Sequence, residues 1–374
     1  MGKAISTAVT ERSGCERRVT VTSIGTATPG QAASIAIGLG VPVQRVMAAL
    51  YRAPTILVDG LQPEIAHRMA ELLRDVGCEA CVEDEAAPPP AKEPLFDVAL
   101  HITDTGRHSA ITESLGTFLG IDAGGAARLI AQQPGVVLGQ VSGATVAALR
   151  ERLGDGADLL ASDPDTATYD VFLGDGDAAS RTRLLGQLRR RGHTPLAERG
   201  CLLTGLDRAA ADAIWAAHHR VAALRVINRD FLRFDVVLTG GAPTPEALAT
   251  LASVAGIPET VLPRLFEALP ITVIEALPNE ALAGTMTALA QANLEVRADL
   301  MTFLHLGVEV TSAPSRSRLA RTLSVLGAEA EGLSARPLPI RLPYLMPELQ
   351  ARLLREALAA QGIEAMLFEA AEAA

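Results

Sequence analysis

The alternation of apolar and polar positions changes period several times between residues 234 and 300, and each change predicts an element. Residues 234–239 (FDVVLT) are short, apolar and β-branched, which predicts a strand. Residues 245–255 carry apolar side chains at helical spacing behind Pro245, a residue suited to the first turn of a helix. A second helical stretch, 258–268, ends at Leu269-Pro270. A strand at 271–276, a helix at 279–291 and a strand at 295–300 follow. Earlier in the chain the same order appears again. A strand at 19–24 opens it, Ala53-Pro54 ends its second helix, and Ile56-Leu57-Val58 is its middle strand. A helix at 63–76 and a strand at 79–83 close it.

The unit is strand, helix, helix, strand, helix, strand, about 65–70 residues long, and it recurs five times. The pattern predicts an α+β chain of five tandem small domains, each a three-stranded sheet covered on one face by three helices. Their expected bounds are 18–84, 96–162, 169–232, 233–301 and 302–374. Residues 1–17 read as a flexible tail, 85–95 as a proline-rich linker and 163–168 as a second linker. The third copy is short and degenerate, and the fifth has a divergent middle with Pro337, Pro339 and Pro343. Copies three to five follow one another almost without linkers. They are expected to form one rigid unit, with copies one and two more loosely strung.

Three of the copies open on related strands: Phe96-Asp97-Val98, Tyr169-Asp170-Val171 and Phe234-Asp235-Val236. Pro54, Pro134 and Pro270 follow the second helix, and residues 69–79 (MAELLRDVGCE) run a leucine-patterned third helix into a small-residue turn and a strand. These features resemble the C-terminal domain of the bacterial large-subunit ribosomal stalk protein over most of the chain. The resemblance implies a protein-binding module rather than an enzyme. In that family the first helix carries basic residues that meet translation factors. At those positions the fifth copy keeps Arg316 and Arg321 with Arg318 between them, and the third keeps Arg181 and Arg189. Arg183, Arg190 and Arg191 lie alongside. The fourth copy has Glu246, Ala247, Thr250 and Ser253 instead, and the first and second also lack the basic set. The candidate partner-binding residues are therefore Arg181, Arg183, Arg189, Arg316, Arg318 and Arg321, weighed against a plain solvated helix face.

Charge narrows the partners. A net charge of −10 argues against general nucleic-acid binding, which depends on neutralising phosphates. The third copy holds ten arginines against seven acids and the fourth three against eight. Such a contrast favours packing between neighbours or head-to-tail self-association. Aromatic residues make up only 3%, so small side chains must build the cores and helices approach closely. An apolar content of 49% is high for five small domains and predicts buried contacts between copies or subunits. No apolar run is long enough for a transmembrane helix, and the start of the chain lacks the apolar core of a secretory signal. Four cysteines are too few for a disulfide framework and fit a reducing cytoplasm. The only lysines are Lys3 and Lys92, a bias pointing to a GC-rich bacterial genome.

The remaining motifs read as structural. Cys78-Glu79-Ala80-Cys81 lacks the further ligands of a zinc site and opens a strand rather than a helix, so buried structural cysteine is expected. Gly174-Asp175-Gly176-Asp177 has no closing glutamate for a calcium loop and reads as a turn. His101 and His108, with Asp104 between them, read as solvated loop histidines. His218 and His219 are adjacent on a helix and point apart, so they cannot chelate together. No catalytic residues, cofactor or metal site are expected. The sequence is best read as a non-catalytic, cytoplasmic interaction or scaffold protein that binds protein partners or itself. The alternatives are a ribosome- or translation-factor-associated protein, a proteolytic adaptor of the Clp kind, and an enzyme whose residues meet only in three dimensions.

Overall fold

The computed structural model describes residues 16–174, 178–196, 200–221, 223–258, 260–328 and 332–369. The expected tail up to residue 15 and the 175–177 part of the glycine–aspartate turn lie outside the described residues. The chain is α+β, and the secondary structure falls into five consecutive blocks. The first runs β1 (Arg17–Ser23), α1 (Pro29–Leu39), α2 (Val43–Tyr51), β2 (Thr55–Leu61), α3 (Pro63–Asp75) and β3 (Glu79–Asp84). The second runs β4 (Phe96–Ile102), α4 (His108–Leu119), α5 (Ala123–Ala131), β5 (Val136–Val141), α6 (Gly143–Leu153) and β6 (Ala157–Ser162). The third is β7 (Tyr169–Leu173), α7 (Ala178–Arg190), β8 (Cys201–Leu206), α8 (Arg208–His218) and β9 (Leu224–Asn228). The fourth is β10 (Arg233–Gly240), α9 (Pro245–Ala255), α10 (Leu262–Leu265), β11 (Ile271–Pro278), α11 (Asn279–Gln291) and β12 (Glu295–Leu300). The fifth is β13 (His305–Ser312), α12 (Arg316–Val325), β14 (Ile340–Arg341), β15 (Met346–Pro347), α13 (Glu348–Ala359) and β16 (Glu364–Glu369).

In every sheet the first strand of the block lies in the middle: β2-β1-β3, β5-β4-β6, β8-β7-β9 and β11-β10-β12. In the fifth, β13 pairs with β16 on one side and with β14 and β15 on the other. The bonds Ala53–Pro54, Gln133–Pro134, Leu269–Pro270 and Leu338–Pro339 are cis, each just ahead of the second strand of its block. The aspartates of the opening strands have a structural task. Gly60, Gln140, Gly205 and Ala276 adopt left-handed backbone in the second strands of the first four blocks. In two of these blocks the aspartate of the middle strand satisfies the N–H there: Asp170 Oδ1 accepts from Gly205 N and Asp235 Oδ1 from Ala276 N, both at 2.8 Å. Those donors sit at breaks in strand register and would otherwise go unpaired.

One helix range needs correction, and the blocks depart from the common pattern in the second-helix position. In the fourth block α10 covers only Leu262–Leu265, not 258–268. A proline is tolerated only in a helix's first turn, so Pro263 confines the start. In the third block no second helix forms among the described residues, where Gly192 and Pro195 interrupt the segment. In the fifth, among the described residues, a 3-10 turn at Leu333–Ala335 takes its place. Pro343 separates β14 from β15, because proline cannot donate to a strand ladder.

The chain divides into two compact units. The first holds the described residues up to Phe96 together with Thr112–Ala126 and Gln140–Gly154. The second holds Asp97–Ile111, Ala127–Gly139 and everything from Asp155. Strands β4 and β6 therefore group with blocks three to five, and a division between the second and third copies does not describe the packing. Nor does the linker swing free at its start: buried Arg18 donates to Glu83 Oε2 at 2.8 Å, to the Ala87 carbonyl at 3.0 Å and to the Pro88 carbonyl at 2.6 Å.

In the first unit alanines let the helices close on the sheet. Ala32 and Ala36 of α1, Val46 and Leu50 of α2, and Ala66, Ala70 and Leu73 of α3 are buried with Val19 and Val21. Tyr51 fastens α4 and α6 to this core. Its hydroxyl donates to the Phe118 carbonyl at 2.9 Å, its own carbonyl accepts from Ser142 N and Thr145 Oγ1, and burial pushes the phenol up to about 12. Arg152 stacks over the Phe118 ring and donates to the carbonyls of Gly25 and Ala27 at 2.9 Å. The turn into β3 depends on Gly77, whose φ is +95° and whose carbonyl accepts from Thr26 N at 2.9 Å. A Cβ there would lie 2.3 Å from Thr26 Oγ1. Gly77→Ala should cost about 1–3 kcal/mol in denaturant unfolding. A loss within error would mean the turn has room to relax.

In the second unit Val171, Leu184, Leu188, Leu202 and Ile214 form one core. Val236, Leu238, Leu251, Leu262 and Leu289 form another, and Val308, Val310, Leu319, Leu323 and Leu358 a third. Polar and aromatic contacts join the blocks. Ser162 Oγ donates to Asp230 Oδ2 at 2.5 Å and accepts from Asn228 Nδ2 at 2.9 Å. Phe303 packs edge-on against Phe172 with ring centroids 5.4 Å apart, under the Arg225 guanidinium. The expected contact between neighbouring blocks is thus present within this unit.

Candidate partner-binding surfaces and a buried polar junction

An apolar opening lies between α1 and α3. On α3 the positions Ala66, Ala70 and Leu73 face the sheet, while Ile65, Met69, Leu72 and Val76 form a second apolar stripe beside them. Helix α1 contributes Ile35, Gly38 and Leu39 and carries no charged residue. Together they bound a groove of about 410 Å³ whose only charged wall residue is Arg68. Ile65 and Leu72 are 55% and 60% exposed, and Ile37, next to the groove, is 81% exposed. Isolated apolar residues on a surface are ordinary, whereas continuous apolar grooves are the kind of surface on which partners and ligands bind in other proteins.

Arg181, Arg183 and Arg189 lie on α7 and are exposed, with Arg190 and Arg191 following them. Arg316, Arg318 and Arg321 lie on α12 and are also exposed. Each trio is gathered by its own helix, over its own sheet. The arginines of α12 are not equivalent. Arg316 donates to the carbonyls of Ser334 and Arg336 and so closes the loop that replaces the second helix. Arg318 and Arg321 point outward on the same side as Val325, which is 80% exposed.

The second unit also holds a polar junction that sequence patterns did not reveal. His101, expected in a solvated loop, is a residue of β4 directly opposite Asp158 of β6. Arg233, 5% exposed at the start of β10, donates from Nη1 to Asp158 Oδ2 at 3.1 Å and to the Ala276 carbonyl at 2.9 Å. Arg352 of α13 donates to the carbonyls of Ile102 and Thr103 and to Glu348 Oε1 at 3.1 Å. Burial, and then the charges of Arg233 and Arg352, push the His101 imidazole down to about 3. Burial raises the Glu348 carboxyl against the opposing pull of Arg352. Three blocks are thereby tied together through charged groups. The signal was hidden because the partners lie 75 and 250 positions apart.

Cys78 is buried, with its thiol pushed up to about 11 by burial, and neither Cys78 nor Cys81 is bridged. Such a thiol is poorly suited to nucleophilic or redox work. His218 is buried while His219 is exposed, so the two do point apart. No helix among the described residues is long and apolar enough to cross a membrane. No family model, curated protein or solved structure matches this chain.

Proposed function

We propose that this chain is a non-catalytic protein-interaction scaffold built from five copies of one small module, similar to the ribosomal stalk C-terminal domain and altered at the second helix in copies three to five. The apolar groove between α1 and α3 carries this reading. Its length along α3, from Ile65 to Val76, suits an amphipathic helix with apolar residues at i, i+3 or i+4, and i+7. Arg68 at the wall calls for a carboxylate on that helix. The test is affinity capture from the source organism with wild-type and Leu72→Glu chains, bound proteins being quantified. One protein at fixed stoichiometry, lost with Leu72→Glu and displaced by its own helical peptide, is the expected result. Because Leu72 is exposed, the substitution should change unfolding stability by no more than about 0.5 kcal/mol. A partner set indifferent to Leu72→Glu overturns the reading.

A translation-linked role is the second reading, favoured by the exposed, outward Arg318 and Arg321. Charge reversal at both positions should then abolish ribosome or factor association. Unchanged association counts against it.

A further inference from the structure

The groove between α1 and α3 asks for an amphipathic helix that carries a carboxylate, and α3 itself has both features. Its apolar stripe, Ile65, Met69, Leu72 and Val76, is spaced 4, 3 and 4 residues apart, the heptad spacing of a two-stranded seam. Ile65 and Leu72, both more than half exposed, are knobs, and the opening beside them is a hole. Gly38 keeps the α1 wall low, since a Cβ added there would find open space. Only one edge of the seam is charged. Arg68 and Asp75, one heptad apart, flank it on the side away from the sheet, and both are exposed. On the other edge Ala66 and Leu73 are buried in the core of their own module.

We propose, on the reading that the groove is a binding site, that its occupant is α3 of a second copy of this chain, docked antiparallel about a two-fold axis. With the axis between Ala70 and Glu71, Ile65 meets Val76 of the second copy and Met69 meets Leu72. Arg68 and Asp75 of the second copy then lie about 3 Å apart along the axis, at 1.5 Å of rise per residue. Helical side chains lean toward the N-terminus of their own helix, so in an antiparallel pair these two lean toward each other. The two-fold axis repeats the contact, and one pair of opposite charges becomes two. A parallel pairing sets Arg68 beside Leu73 of the second copy and forms no such pair. Charge therefore selects the antiparallel arrangement, and the carboxylate that Arg68 calls for is Asp75. Helix α1 carries no charged residue and opposes nothing that enters.

The experiment is sedimentation velocity on the purified full chain over a range of concentrations. The wild type should show a monomer–dimer equilibrium, and Leu72→Glu should raise the dimer Kd about 100-fold or more. Arg68→Glu and Asp75→Arg each set like charges against one another and should weaken self-association about tenfold. Mixed in equal amounts, these two variants should pair with each other, because every charge then meets its opposite. All three positions are exposed, so the unfolding midpoints of the variants should stay at the wild-type value. A chain that is monomeric at every concentration, a dimer indifferent to Leu72→Glu, or charge variants that do not recover on mixing would each overturn the proposal. A monomer that still captures one other protein through Leu72 overturns the self-pairing and leaves the groove as a binding site. A monomer with no such capture overturns both.

Discussion

Asp158→Ala is expected to destabilise the second unit more than Arg233→Met does, although both break the same ion pair. The Arg233 side chain is 6% exposed and that of Asp158 is 50% exposed. Removing the carboxylate strands a guanidinium in the interior with the Ala276 carbonyl as its remaining acceptor among the described residues. Stranding one member of a buried pair costs about 3–5 kcal/mol, and the half-exposed position of Asp158 lowers this to about 2–3 kcal/mol. Methionine at 233 keeps most of the apolar stem, and the abandoned Asp158 turns to water. What remains is one carbonyl short of a donor, about 1–2 kcal/mol. Combining Arg233→Met with Asp158→Leu should come within about 1 kcal/mol of wild type, because a buried pair replaced by apolar groups is often neutral. Urea unfolding read at Trp215 checks the order of the variants. An Arg233→Met loss equal to or larger than that of Asp158→Ala would mean the guanidinium is not desolvated.

How much was legible depends on whether the signal was local. Helices α9 and α11 form over the residues their pattern marks: Thr244 caps α9 ahead of Pro245, and Gly256 and Asn293, both in left-handed backbone, follow the two ends. The strands form where the short apolar runs recur, even where the helices between them fail, but their order in each sheet, with the first strand in the middle, was not read from the sequence. The second helix of block four was drawn too long because the repeat outweighed Pro263, whereas blocks three and five, read as degenerate and divergent, depart from the pattern in that same segment. Half of the groove was visible: Ile65, Met69, Leu72 and Val76 lie beside Ala66, Ala70 and Leu73, giving α3 more apolar surface than one core contact uses. What α1 offers opposite it was not visible. Arg316 looked equivalent to Arg321, yet it serves the loop carbonyls of Ser334 and Arg336, a closure set by tertiary structure alone. The junction around Arg233 left no local trace, since each residue in it is unremarkable among its sequence neighbours.

His101 supplies the second large effect, in the pH dependence of stability. Its folded value is pushed down to about 3, while an unfolded histidine titrates near about 6.5. Between those limits the unfolded chain holds a proton that the folded chain refuses, so stability rises with pH across the window. The contribution is complete above the unfolded value and is lost as pH falls toward 3. Burial raises Asp170, Asp235 and Glu348, and these act with the opposite sign. Their folded carboxyls keep protons longer, which favours the folded chain on the acid side, and that advantage is lost as pH rises through their folded values. The raw profile is therefore a difference of opposing terms, and His101→Gln isolates one of them. Between pH 7 and pH 4 the wild type should lose about 3 kcal/mol more than the variant, at about 1.4 kcal/mol per pH unit below the unfolded value. Parallel profiles would mean that the imidazole titrates in the folded chain as it does in water. The junction it shares with Arg233 would then be open to solvent, and the field of the two arginines too weakly confined to exclude a proton.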